Sequence, residues 1–318
     1  MKAVVIYEAG GVDRLMYEEV DKPVVKAGWS LVKVKGFGIN RSEIFTRQGY
    51  SETVQFPRIL GIECVGLIEE STEPERLPKG AKVVSIMGEM GRAFNGSYAE
   101  YVLLPNAQIY PIKAELDWPT MAAIPETYHT AYGTLLRLKI TDGDSVLVRG
   151  ATSGVGVAFA KLVKAKYPNA RLYGSTRSRD KANQLKSVGF DECILETSGQ
   201  LQTELTFHKI ADLVGPFAMR DSVAHLKEKG ILCNTGLLGG QWTLEGFDLI
   251  TELGAGKYLT GFYSGIVNGT MLQELFDFIE EYKVDASPEK VFHLAEIREA
   301  QAYLEGSKSF GKVVVIND

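Results

Sequence analysis

The sequence predicts an α/β chain in which a β-rich, barrel-like unit is interrupted by a doubly wound parallel sheet. Three observations point there. The first 115 or so residues carry short apolar runs broken by Gly and Pro, strand-like and helix-like stretches alternate from Pro119 onward, and the chain closes on one more strand, "GKVVVIND". Frequent turn signals between short strands suggest a barrel, whereas strands spaced by helices suggest βαβ units.

In the first part "KAVVIYE", "WSLVKVKGFGI", "CVGLIEE", "AKVVSIM" and "YAEYVLLP" are the strands. "TMAAIPETYHTAYGTLLRL" then has helical spacing, and six strands follow: "SVLVRG", "ARLYGST", "ECILE", "IADLVG", "GILCNTG" and "YLTGFY". Amphipathic runs such as "RDKANQLKSV" and "MRDSVAHLKEK" lie between them and read as helices. After Ser264 comes a long helical pattern, "GTMLQELFDFIEEYKV", and a final strand that far from the sheet is expected to return to the N-terminal unit. The expected domains are therefore 1–118 with 265–318, and 119–264.

Composition bounds the function. The 318 residues are 45% hydrophobic and 24% charged, ordinary globular values, and the net charge of -5 argues against nucleic acid as the main partner. The start lacks the pattern of a signal peptide, and no run approaches the roughly 20 apolar residues that span a bilayer, so no membrane is expected. Cys64, Cys193 and Cys233 are far apart and odd in number, which suggests reduced thiols in a cytoplasmic setting.

The segment "SVLVRGATSGVGVAFAKLVKA" runs strand, glycine-bearing turn, helix. Gly150 closes the strand, and Ser153, Gly154, Val155 and Gly156 open the helix, where backbone N–H groups at its positive end can receive a pyrophosphate. The third position of G-x-G-x-x-G is Phe159, so the spelling alone fits a tight strand–helix connection as well. Its place in a six-strand α/β pattern favours a dinucleotide.

NAD-preferring sheets end their second strand on an acid that holds the ribose hydroxyls. Here that strand ends "YGSTRSRDK", with no acid before Asp180. Ser175 and Thr176 offer hydroxyls while Arg177, Arg179 and Lys181 offer positive charge, a set suited to a 2′-phosphate. The expected cofactor is NADPH.

Of the four histidines, His129, His208, His225 and His293, none sits at ligand spacing from another His or a Cys, and there is no C-x-x-C. No metal site is expected, and each His is expected at the surface or half-buried. A G-x-S-x-G elbow and a P-loop ending are both missing, which excludes an α/β-hydrolase and disfavours nucleotide hydrolysis.

The motifs "GFGINRSEIFTRQGY", "RILGIECVGLIEE", "GSYAEYVLLP", "AAIPETYHTAYGTL", "VRGATSGVG" and "GKVVVIND" together resemble the medium-chain dehydrogenase/reductase superfamily, and within it the zinc-free quinone oxidoreductase branch. The resemblance runs from Met1 to Asp318. It implies a GroES-like β-barrel catalytic domain split around a Rossmann domain, and a homodimer joined edge to edge through "YLTGFY". Where zinc-dependent relatives place a ligating Cys this chain has Asn40, and where they place the His of Gly-His-Glu it has Ile62. One feature departs from the quinone reductases too: their third strand often supplies a tyrosine to the cofactor phosphate, and here Glu196 stands nearby.

The activity implied is hydride transfer from NADPH to a quinone or α,β-unsaturated carbonyl, a small-molecule substrate. The resemblance sets Asn40 and Tyr50 at the reaction centre, with Ser42 placed to relay a proton, and Thr127 and Tyr128 on the nicotinamide side. Gly236, Leu237 and Phe262 are its expected nicotinamide neighbours. Bland readings stand beside these: Tyr50 packing on Phe56, Asn40 forming a turn, Tyr128 in the core. An enoyl-thioester reductase and a crystallin-like NADPH binder without turnover remain the alternatives.

Overall fold

The computed structural model describes residues 1–254, 256–306 and 309–317, and in it the chain divides into two units. One holds Met1–Glu126, Gly265–Glu280 and Ala286–Asp318, the other Thr127–Ser264 and Glu281–Asp285.

The first unit is strand-rich. Its N-terminal part runs β1 (Lys2–Ile6), β2 (Met16–Glu19), β3 (Trp29–Gly38), α1 (Arg41–Arg47), β4 (Arg58–Ile59), β5 (Glu63–Glu70), β6 (Lys82–Ile86), β7 (Tyr101–Pro105), β8 (Tyr110–Pro111) and α2 (Trp118–Ala123). β3 is its spine, pairing antiparallel with β5 and β7. The ring of Phe37 stacks on Tyr98 at 4.8 Å inside a core that also takes in Val4, Ile39 and Leu104.

The second unit runs α3 (Pro125–Leu138), β9 (Ser145–Arg149), α4 (Gly154–Lys166), β10 (Arg171–Thr176), α5 (Ala182–Ser187), β11 (Glu192–Thr197), β12 (Gln200–Leu201), β13 (Phe207–Asp212), α6 (Met219–Ala224), β14 (Leu226–Asn234) and β15 (Tyr258–Gly261). The sheet order is β12-β11-β10-β9-β13-β14-β15, and all pairings but that of β12 are parallel. β9 and β10 are buried almost throughout, as parallel strands covered on both faces must be. The strand order reverses between β9 and β13, the place where such sheets open a crevice for a ligand. α7 (Gly269–Glu281), β16 (Lys290–His293), α8 (Ile297–Glu305) and β17 (Val313–Ile316) complete the chain. β17 returns to the first unit as expected, with Val314 opposite Gly38 and Val315 opposite Phe37 on β3.

Two local expectations change. "TMAAIPETYHTAYGTLLRL" is two helices, α2 and α3, because Pro125 cannot donate within a continuous helix and instead opens the second. "MRDSVAHLKEK" is helical only as far as Ala224, and Leu226 already pairs with Phe207 as a strand. Burial of Leu226 in the core of this unit outweighs the amphipathic pattern, and Lys229 takes the left-handed φ of 63° that bends the strand.

At the end of β9 a whole guanidinium is buried. Arg149 pairs with Glu196 at 3.0 Å and Asp221 at 2.8 Å, and donates to Ser222 Oγ and to the carbonyls of Ala218 and Gly199. Removing one partner of such a buried set costs about 3–5 kcal/mol, because the other charge stays behind unpaired. No helix among the described residues is long and apolar enough to cross a membrane.

Candidate active site

The β9–α4 turn has the shape of an anion cradle. Gly150 adopts φ +76°, a left-handed conformation that favours glycine, and so turns the chain out of the strand. Ser153 caps α4, its Oγ accepting from Gly156 N–H at 3.1 Å. A Cβ on Gly156 would lie 2.7 Å from the carbonyl oxygen of Ala151, so only glycine lets the helix pack this close to the strand end. The N–H groups of Gly154 and Val155, in the first turn of α4, make no hydrogen bond among the described residues and are free for a phosphate.

At the end of β10 the hydroxyls and the charges part company. Ser175 is buried and its Oγ donates to Glu196 at 2.9 Å, while the Thr176 Oγ1 accepts from Ser178 N–H at 3.1 Å. Ser175 therefore stiffens the turn from below, also lying 3.4 Å from Gly150 N. Arg177 is exposed and makes no ion pair among the described residues, and Lys181 is half-buried. Glu196 is not a loose negative charge beside this region, since Arg149 already neutralises it.

On α3, Thr127 and Tyr128 are buried, and the Tyr128 hydroxyl donates to the Asp285 carbonyl at 3.3 Å. Burial pushes that phenol further up from its ordinary value. Phe262 lies against the same helix: a side chain on Gly133 would run into its ring. Gly236 follows Thr235, whose Oγ1 meets Thr134 Oγ1 at 2.8 Å, and Leu237 is exposed. His129 departs from the surface or half-buried position expected of it. It is 0% exposed, edge-on to Phe262 at 5.5 Å, and neither ring nitrogen has a hydrogen-bond partner among the described residues. Its inward place on α3 explains this, and burial lowers its pKa to about 4, which keeps the ring neutral.

In the first unit Asn40 sits at the N-cap of α1, in a capping box with Glu43. Its amide is committed at both ends: Oδ1 accepts from Lys312 Nζ at 2.6 Å, and Nδ2 donates to Glu63 Oε1 at 2.7 Å. Lys312 also donates to Glu63 Oε1 at 2.7 Å, and the second Glu63 oxygen accepts from Glu126 N–H at 2.7 Å. Glu43 is wholly buried beside this set, and desolvation followed by the nearby Glu63 charge raises its pKa to about 8. Ser42 Oγ reaches Glu43 Oε2 at 3.3 Å. Tyr50 is 75% exposed and meets Phe45 edge-on at 6.1 Å rather than Phe56.

This donor set does not fit a zinc ion. Ile62 is apolar, the nearby Cys64 thiol is pushed up to about 12 by burial, and an ammonium already holds Glu63. Zinc sites need thiolate, imidazole or free carboxylate. Among the described residues no three His, Cys, Asp or Glu side chains converge to hold a metal. Residues to which the sequence alone assigns no part in these networks are Glu43, Glu63, Lys312, Arg149 and His129. Only Glu43 carried a local signal, the N-x-x-E spacing of a capping box.

Comparisons with known proteins agree with this layout. The family model described as "Alcohol dehydrogenase GroES-like domain" matches residues 26–114, and that described as "Zinc-binding dehydrogenase" matches residues 188–315. The quinone oxidoreductase of Homo sapiens is 33% identical over 169 residues, 52% of this chain and 50% of that protein. The chain thus spans about half the length of the first curated relatives it matches. The chloroplastic NADPH-dependent alkenal/one oxidoreductase of Arabidopsis thaliana is 27% identical over 99% of this chain and 79% of its own. Among solved structures, the yhdH oxidoreductase of Salmonella enterica, in complex with NADP, shares the fold with a TM-score of 0.85 at 20% identity, covering 100% of both chains.

Glu43 generates a pH prediction. A carboxyl whose folded pKa lies above its unfolded value of 4.5 takes up a proton on folding, so the contribution of Glu43 to stability is fullest below 4.5 and declines as pH rises toward 8. Glu43→Gln keeps the capping box and removes the charge. Thermal unfolding from pH 5 to 8 should show the variant losing less stability than the wild type, by up to a few kcal/mol; parallel curves would contradict the assignment.

Proposed function

The chain belongs to the medium-chain dehydrogenase/reductase superfamily, in its quinone oxidoreductase branch, and from that premise we propose that it transfers hydride from NADPH to a quinone or α,β-unsaturated carbonyl without a metal. The observation that carries the reading is the open first turn of α4 at the strand-order reversal, with Arg177 and Lys181 following β10. When bound, the nicotinamide would supply the hydride, and the protein's own task is to bind, orient and exclude water.

The residues divide that task. Ser153, Gly154, Val155 and Gly156 would receive the pyrophosphate on backbone N–H groups, and Arg177 and Lys181 the 2′-phosphate. Thr176 and Ser175 shape that end, with Ser175 acting from beneath through Glu196. Thr127, Gly236, Leu237 and Phe262 would border the nicotinamide, the Phe262 ring held against α3 by the absence of a side chain at Gly133. Tyr128 has its hydroxyl proton committed to a backbone carbonyl and a raised pKa, so its part is to shape the pocket rather than to release a proton. Asn40 and Tyr50 remain the candidates near the substrate, Asn40 as a fixed amide and Tyr50 as an exposed aromatic lid.

Metal independence rests on the ammonium of Lys312, which fills the electrostatic role of a cation beside Glu63 and Asn40. The activity is expected in the cytoplasm, on a small-molecule substrate.

Cofactor choice tests the reading. With an enone or quinone acceptor, kcat/KM should favour NADPH over NADH, and Arg177→Ala with Lys181→Ala should lower the NADPH value about tenfold or more while sparing NADH. Equal values for the two cofactors in the wild type would overturn it.

Pairing is expected through β15. That strand closes one edge of the sheet and leaves Tyr258 and Leu259 exposed, with Leu249 and Ile250 exposed in the segment before it. Light scattering should give twice the 35.0 kDa chain mass; a single-chain mass contradicts the pairing.

A further inference from the structure

A cavity lies wholly within the strand-rich unit, between β1, the β2–β3 connection, β4, residues 94–96 and β7. Its volume is about 380 Å³, within the range that holds a small organic molecule. None of Asn40, Glu43, Glu63 or Lys312 lines it.

The walls are aromatic. Trp29 and Phe94 meet edge to face at 5.1 Å, and Tyr101 on β7 also lines the cavity, with Lys22 Nζ 3.8 Å from its ring centroid. Two cations line the same cavity. Lys26 Nζ lies 4.0 Å above the Trp29 ring and pairs with no carboxylate among the described residues. Arg58 also lacks a carboxylate partner there: its Nη1 reaches only the Asn95 amide oxygen, at 3.4 Å, and that oxygen is shared with the Ile59 N–H. The Arg58 Nε is buried with no hydrogen-bond partner among the described residues. A buried guanidinium N–H without an acceptor is costly, and loss of solvent lowers the Arg58 pKa. The neighbouring Lys22, by contrast, is already matched by Glu69 at 3.0 Å. Asp21 is the one carboxylate on the lining, and it forms no ion pair with either cation. The lining thus joins four aromatic residues, Tyr7, Trp29, Phe94 and Tyr101, to one carboxylate and two cationic side chains, an excess of positive charge.

We propose that this cavity binds a small, flat, apolar molecule bearing one anionic group, an aromatic carboxylate in the simplest case. The ring system would lie against Trp29, Phe94 and Tyr101, and the anion would take the Arg58 donor with support from Lys26. The site is separate from the cofactor turn and does not depend on the reading of the activity.

The test is calorimetric titration of the full chain with 2-naphthoate and with its neutral analogue 2-naphthalenemethanol. Naphthoate is expected to bind at one per chain and more tightly than the alcohol. Arg58→Gln and Lys26→Gln should each weaken naphthoate, Arg58→Gln about tenfold or more, and leave the alcohol unchanged. Melting curves matching the wild type establish that the variants are folded, and Lys26→Gln carries the test if Arg58→Gln is not. No binding of naphthoate, equal affinity for the two probes, or wild-type naphthoate affinity in the folded variants overturns the proposal.

Discussion

The pairing of Lys312 with Glu63 and Asn40 is the constraint on which the strand-rich unit depends. A lysine ammonium and a carboxylate are both taken out of water here, with side-chain exposures of 5% and 0%. Each would be costly alone, so each requires the other together with the Asn40 amide that bridges them. The cluster ties the last strand of the chain to the N-cap of α1 and the start of β5. Gly38 belongs to the same device, since a Cβ there would run into the Lys312 and Glu63 side chains. Burial, and after it the nearby Glu63 charge, raises the pKa of the neighbouring Glu43 to about 8.

The dinucleotide-type unit uses the same physics at its own centre. Arg149 is buried without exposure and is answered by Glu196 and Asp221, and Glu196 in turn accepts from Ser175 at the end of the next strand. The ends of β9, β10 and β11 are thereby locked together beneath the turn. This floor underlies the first turn of α4, where the Gly154 and Val155 N–H groups have no hydrogen-bond partner among the described residues. His129 marks the opposite case. It is buried with no partner among the described residues, and it stays neutral because protonation in that setting is unfavourable.

Much of this was legible in the residues. The strand, turn and helix around Gly150, the six parallel strands, and the return of "GKVVVIND" to the first sheet follow from local pattern and spacing. Local pattern failed where tertiary burial decided the outcome, as at Leu226, where a helical-looking run becomes a strand. It also failed for the buried networks. Lys312 and Glu63 are 249 residues apart, so no spacing rule connects them, and nothing local to Glu196 shows that Arg149 answers it. Ser175 was legible as a hydroxyl at the right strand end, but its direction was set by Glu196.

The proposed hydride transfer needs no metal, since the Lys312 ammonium already stands beside Glu63 and Asn40. The most direct measurement follows deuteride from 4-deuterated NADPH into an enone product, before and after exhaustive dialysis against a chelator, with metal quantified in the same samples. Label is expected in the product at an unchanged rate when metal is far below one per chain. Transfer that is lost on chelation and regained with zinc would contradict it.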